Sequence, residues 1–131
     1  MFDHLSLTVR DMDRARPFYR AVMEVLGHAM TRDEPGAIGF GIRRDAETDV
    51  PAYISIVEDP DFTPGRGHVA FAAVNRDMVQ RFHAAALANS GSDDGAPGPR
   101  PDYHSDYYAA FVRDPEGNRL EAVCHKRVET A

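Results

Sequence analysis

Polar and apolar side chains alternate from Phe2 to Val9, with His4, Ser6 and Thr8 on one face and Leu5, Leu7 and Val9 on the other. A period of two is that of a half-buried strand. The spacing then lengthens. Ala15, Phe18, Val22, Val25 and Leu26 form a helical apolar stripe, with Asp11 and Asp13 as candidate N-caps and Gly27 as a natural stop. Pro17 is tolerable only near a helix start, which favours Asp13 as the effective cap.

The same plan returns 64 residues later. HVAFAAVNRDMVQRFHAAALANSG, from His68 to Gly91, overlays the opening stretch without a gap across 24 positions. His4 falls on His68, Asp13 on Asp77, Phe18 on Phe82, Ala21 on Ala85 and Gly27 on Gly91. His68, Ala70 and Ala72 alternate with Val69, Phe71 and Ala73, and Val79, Phe82 and Ala86 mark the helix that follows. A spacing this long is not that of a solenoid. It describes a duplicated module: strand, helix, further strands.

The remaining segments complete each copy. Ala29 to Thr31, Ala37 to Arg43 and Ala52 to Val57 read as short strands, and the charged 44–51 stretch as a hairpin loop. EDPDFTPGRG is dense in turn formers and serves as the linker. These boundaries give one domain over 1–131, with module one over about 1–58, the linker over about 59–67 and module two over about 68–131. NSGSDDGAPGPRPDYHSD (89–106) reads as a long loop that replaces most of a strand, either an excursion or a lid over a site. Tyr107 to Val112 and Arg119 to His125 are the last strands, and DPEG (114–117) is the tight turn between them.

Composition narrows the class. A hydrophobic fraction of 43% and a mean hydropathy of −0.45 are those of an ordinary globular chain. No apolar run approaches the roughly 20 residues that cross a bilayer, and the N-terminus lacks the plan of a signal peptide. A single cysteine, Cys124, fits a reducing cytoplasm. With net charge −6 and pI near 5.4 the chain repels phosphate backbones, so neither nucleic acid nor membrane is an expected partner.

The chemistry sits at the ends of the modules. Aligning their last strands, YISIVE and RLEAVCH, sets Ser55 against Glu121. Glu121, between Leu120 and Ala122, is an odd home for a carboxylate, because a buried one needs a cation or a donor nearby. Alternation turns Glu121 and His125 to one face and Cys124 to the other, where it reads as a packed thiol. His125 at the strand end is expected to be exposed.

DHLSLTV leading into RARPFYR, GHVAFAA leading into RFHAAA, and above all AFVRDPEGNRLEAV resemble the glyoxalase/bleomycin resistance/dioxygenase superfamily, the vicinal oxygen chelate (VOC) fold. The resemblance covers nearly the whole chain. It implies an α+β architecture: two βαβββ modules forming a curved, cavity-enclosing, eight-stranded mixed sheet with the helices outside. It also implies metal ligands at His4, His68 and Glu121. Two imidazoles and a carboxylate with open positions suit divalent Fe, Mn, Co, Ni or Zn, which acts on a substrate with two neighbouring oxygens. A homodimer is expected, since such modules commonly pair across chains.

Several positions depart from family members. Glyoxalase I uses a fourth ligand where this chain has Ser55. Extradiol dioxygenases match the three-ligand set better, and the histidine and tyrosine they add beside the metal would fall on His104 and Tyr107. Fosfomycin-modifying enzymes carry a basic cluster with no full counterpart here, although Arg66 and Arg100 are candidates for an anionic group. Three readings follow: a metal-dependent lyase, isomerase or extradiol-type dioxygenase acting on a small molecule; a metal-free protein that sequesters a drug or metabolite; and a stand-alone regulatory domain. Retention of all three ligand positions favours the first.

Overall fold

A computed structural model describes residues 2–42, 46–47 and 52–127, with Ala52 described by its backbone alone. The chain runs β1 (His4–Val9), α1 (Met12–Val25), β2 (Met30–Glu34), β3 (Ala37–Ile42), β4 (Ala52–Glu58), β5 (His68–Ala72), α2 (Arg76–Ala88), β6 (Ser92–Pro99), β7 (Tyr108–Arg113) and β8 (Arg119–Cys124). The hairpin loop expected over 44–51 lies outside the described residues apart from 46–47. Each half is a βαβββ unit. The first sheet has the order β1-β4-β3-β2 and the second β5-β8-β7-β6, with the outer pairs β1/β4 and β5/β8 parallel and the rest antiparallel. The eight strands thus form two sheets of four, which do not close into a barrel.

The alternation of β1 and β5 sorts the faces. Val9 is buried and Leu5 and Leu7 pack on the core, beside Phe18, Val22, Ile38 and Ile56. In the second half Val69 and Phe71 turn the same way, towards Val79, Phe82, Ala86, Leu120 and Ala122. The histidines stay on the faces turned away from the helices. α1 begins at Asp11, not Asp13: the Asp11 carboxylate accepts from the Asp13 N–H at 3.0 Å, and Glu58 accepts from Met12 N–H at 2.8 Å. Two carboxylates at the positive end of the helix satisfy donors that would otherwise be orphaned. Pro17 therefore lies inside the helix. It is tolerated because Pro17 and Asp13, whose carbonyl it leaves without a partner, are both exposed to water. Gly27, with φ +85°, ends α1 as expected.

The stretch expected as a loop over 89–106 differs. Residues 92–99 are a strand, β6, paired with β7 through two register shifts; the irregular parts are the short turn at 89–91 and the segment from Arg100 to Tyr107. Its glycines and prolines are compatible with a strand because β6 is an edge, where missing N–H donors face outward, and Gly95 at φ +156° accommodates the bulge.

The two halves are tied together by the turn after β7. Asp114 is buried, and its carboxylate accepts from Tyr19 Oη of α1 at 2.5 Å, from the backbone N–H of Glu116 and of Asn118 at 2.9 Å, and from Asn118 Nδ2 at 2.8 Å. Asn118 Nδ2 also donates to the Thr8 carbonyl at 2.9 Å, and Arg10 Nε to the buried Glu116 carboxylate at 2.8 Å. DPEGN is more than a turn: its polar side chains clasp β1 and α1 of the first half. The helices meet above it, where Phe18 packs so closely on Gly91 that a Cβ there would stand 2.6 Å from the ring.

Replacing Asp114 with alanine strands a buried hydroxyl and two backbone donors, so a loss of about 3–5 kcal/mol is expected. Tyr19→Phe removes one donor and leaves Asp114 with its other three, so it should lose only about 1–2 kcal/mol. Urea denaturation of the two variants checks the ranking, and an Asp114→Ala loss no larger than that of Tyr19→Phe would contradict the clasp.

Candidate functional site

Strand register assembles one face of the second sheet. Ala70, Glu121, Phe111 and Gly95 are successive partners across β5, β8, β7 and β6, and Ala72, Val123, Ala109 and Gly98 form the next row. Five of these eight side chains are alanine or glycine, so few bulky groups surround Glu121 and Phe111 on this face. His68 stands at the head of β5 one row away, partnered with Arg119.

Glu121 is 2% exposed. Its Oε1 lies 3.3 Å from His68 Nε2, and its Oε2 accepts a short hydrogen bond from the Tyr107 hydroxyl. The buried carboxylate foreseen in β8 thus has two partners from other elements, one reaching in from β5 and one from the start of β7. Tyr107 is held protonated beyond the range of an ordinary phenol, first because burial penalises its anion and then because the Glu121 carboxylate accepts its proton and repels a second negative charge. Phe111 sets its ring 6.5 Å from that of His68.

The other expected residues distribute unevenly. His104 does not touch Glu121. Its Nε2 meets His125 Nδ1 at 2.8 Å, and its ring stands edge-on to Tyr107 with centres 5.5 Å apart. His125 is exposed, as its place at the strand end suggested, and Cys124 is buried on the helix side. His4 is set apart: its Nδ1 is 2.7 Å from Asp3 Oδ1. It lines a hollow of about 410 Å³ with Phe2, Tyr53 and the Ala70–Ala72 end of β5. A second hollow, of about 330 Å³, sets Ser6 to Thr8 against His68 and Val69. β1 and β5 therefore run past each other in opposite directions, and the two histidines stand at opposite ends of the seam. Among the described residues no three histidine, cysteine or acidic side chains converge as a metal cluster.

Phe111 was not foreseen, although alternation through YYAAFVR and pairing with RLEAVC would have set it beside Glu121. Glu58, three residues beyond Ser55, serves the N-terminus of α1 on the opposite face, in keeping with strand alternation.

Paired βαβββ units, each with a parallel outer pair and a histidine at the head of its first strand, define a class of protein. The model of the Glyoxalase/Bleomycin resistance protein/Dioxygenase superfamily matches residues 1–122, and the chain belongs to that superfamily. Its fold is similar to that of a glyoxalase/bleomycin resistance protein from Albidiferax ferrireducens, with TM-score 0.78 and 27% identity over 94% of this chain and 97% of that one. The lactoylglutathione lyase from Agrobacterium tumefaciens (TM-score 0.63, 20% identity, 94% and 92% covered) shares the fold. So does the fosfomycin resistance protein FosX from Mesorhizobium loti (TM-score 0.65, 15% identity, 96% and 92% covered). No curated protein matches the chain. No helix among the described residues is long and apolar enough to cross a membrane.

Two phenols give a pH signature, Tyr19 fully buried and Tyr107 partly so. Tyr19, like Tyr107, is held protonated, by burial first and then by the Asp114 carboxylate beside it. The folded chain keeps protons that the unfolded chain releases near pH 10, so the stability this adds is whole below pH 10 and is lost as pH rises beyond it. Unfolding free energy should fall above that pH, and less steeply in Tyr107→Phe. Phenolate absorbance in that variant should lack one late-ionising step; an unchanged late step would contradict the Tyr107–Glu121 bond.

Proposed function

We propose that this protein is a metal-dependent enzyme of its superfamily. It acts on a small molecule with two neighbouring oxygens, by lyase, isomerase or extradiol-type chemistry. The observation that carries this reading is the pair His68–Glu121. Donors bonded to one ion at about 2.1 Å stand roughly 3 Å apart, and Nε2 and Oε1 are 3.3 Å apart without rearrangement. An imidazole and a carboxylate are also the right donor types for divalent Fe, Mn, Co, Ni or Zn. A metal held there would act as a Lewis acid towards the substrate's neighbouring oxygens.

The chain's own groups have definite parts. Glu121 and His68 bind the ion. Tyr107, kept as a neutral phenol, donates its one proton to Glu121 and holds that carboxylate in orientation. His104, against the Tyr107 ring and bonded to His125, borders the site as a proton donor or acceptor at its rim. The third ligand, His4, faces away from this pair in its own chain, so His4 of a second copy completes the set in a homodimer. The uncovered faces of both sheets supply the surface for such pairing.

The runner-up is a metal-free binder. Its support is that Tyr107 already satisfies one oxygen of Glu121, and that the hollow by His4 is largely apolar. Metal content after purification without chelators separates the two. The enzyme reading expects near-stoichiometric divalent metal, an affinity lowered by orders of magnitude in Glu121→Gln and His68→Ala, and binding that weakens as pH falls through about 6.5, where imidazoles protonate.

The shared site has its own test. His4→Ala and Glu121→Gln chains, each inert alone, should regain about a quarter of the intact sites when refolded together, because each mixed dimer contains one site free of both changes. Failure to recover any, or sedimentation only at the 14.5 kDa of one chain, would refute the shared site.

A further inference from the structure

β6 reads SDDGAPGP, and two of its glycines border a single guanidinium. A Cβ on Gly98 would stand 3.1 Å from Arg100 Nη1, and one on Gly95 would stand 3.4 Å from Nη2 and 2.9 Å from Phe111 Cδ2. Arg100 lies over the Phe111 ring, with Cζ 5.4 Å from its centre. Nη2 donates to the Ala96 carbonyl at 2.7 Å and Nη1 to Pro99 at 3.3 Å, while the Arg100 backbone N–H is anchored on the Tyr107 carbonyl at 2.7 Å. A long side chain that would ordinarily sample many rotamers is thus seated on one spot, closely over Gly98 and in contact above Gly95.

The seat faces the site. Phe111, under the guanidinium, is the strand partner of Glu121 and the ring neighbour of His68. The charge of Arg100 reaches Tyr107, where it opposes the rise in that phenol's pKa. Among the described residues no carboxylate pairs with Arg100, and its two carbonyl partners leave three of five N–H groups to spend elsewhere. Arg113 on the same sheet differs, being paired with Asp94 at 3.6 Å. In a chain of net charge −6, a cation without a carboxylate partner, fixed over Phe111 beside Glu121, is a local inversion of the field.

We propose that Arg100 is the specificity-determining residue of this site and that it selects substrates bearing a carboxylate. The planar fork meets two carboxylate oxygens, and the body of the molecule lies on Phe111 and over Ala70 and Ala109 towards Glu121. One guanidinium balances one negative charge, which suits a carboxylate better than a dianionic phosphonate. Because the fork is already held by Ala96 and packed on Phe111, little rotamer entropy is lost on binding. This rests on reading the Glu121 face as the substrate site, but not on the metal.

Benzoate, benzamide and phenylphosphonate share a ring and differ in charge, so they serve as probes. Each is titrated calorimetrically into the full-length chain, with and without chelator. Benzoate should bind on the order of tenfold tighter than benzamide, with or without chelator. Arg100→Met should erase that ratio and Arg100→Lys should not restore it. Gly98→Ala, which crowds the guanidinium without straining the backbone, should lower the ratio while circular dichroism stays that of the parent. Equal affinities, no saturable benzoate binding, a ratio that survives in Arg100→Met, or one that vanishes with chelator would overturn the proposal. A preference for phenylphosphonate over benzoate would overturn the carboxylate assignment. Missing metal with the benzoate preference intact would count against the metal reading alone.

Discussion

The Asp114 carboxylate is the contact on which the rest of the molecule depends. It is buried, and it accepts from a helix of the other half, from two backbone donors of its own turn, and from the amide of Asn118. A charge in that position would be unfavourable without these donors, and with them it locks turn geometry and module packing into one unit. Tyr19 is 95 residues away in the chain, so closing this contact fixes the two βαβββ units relative to each other. Arg10–Glu116 and Asn118–Thr8 add polar bonds along the same boundary.

Module packing then decides the site. With the clasp at one side and Phe18 against Gly91 between the helices, β1 and β5 lie side by side in opposite senses. Both sheets bury one face beneath the helices and leave the other uncovered. On the second sheet that face has small side chains around one buried acid, Glu121. His68 and Tyr107 approach the acid from opposite sides, while Phe111 and Arg100 extend the surface towards the β6 edge.

The duplication has been put to unequal use. The row Ala70, Glu121, Phe111 in the second sheet corresponds to Ser6, Ser55, Gly39 in the first. Where module two holds an acid and a ring, module one has a hydroxyl and a glycine, and the Tyr53 ring fills the space above Gly39. Module one contributes packing, the Tyr19, Thr8 and Arg10 partners of the clasp, and His4; module two contributes the clasp itself, Glu121 and the partners of Glu121.

Elements governed by near neighbours were legible in the chain itself. The period-two strands, the apolar stripes of α1 and α2, the Gly27 stop and the 64-residue repeat all follow from local sterics and burial, as does the outward turn of Glu58 away from Ser55. The pairing of Glu121 with His68 could be anticipated from a carboxylate in an apolar strand and a histidine at an equivalent strand head. Other features required the tertiary structure. The Gly and Pro of β6 point to a loop because both disfavour strands in general, yet an edge position with a bulge accepts them, and being an edge is a property of the sheet. Asp11 rather than Asp13 caps α1 because Glu58 arrives from another strand to share the N-terminal donors. His4 and His68 occupy the same place in the repeat, but antiparallel packing of the modules carries them to opposite ends of the seam. Local sequence determines which way a side chain faces; only the packing of distant segments determines what it meets.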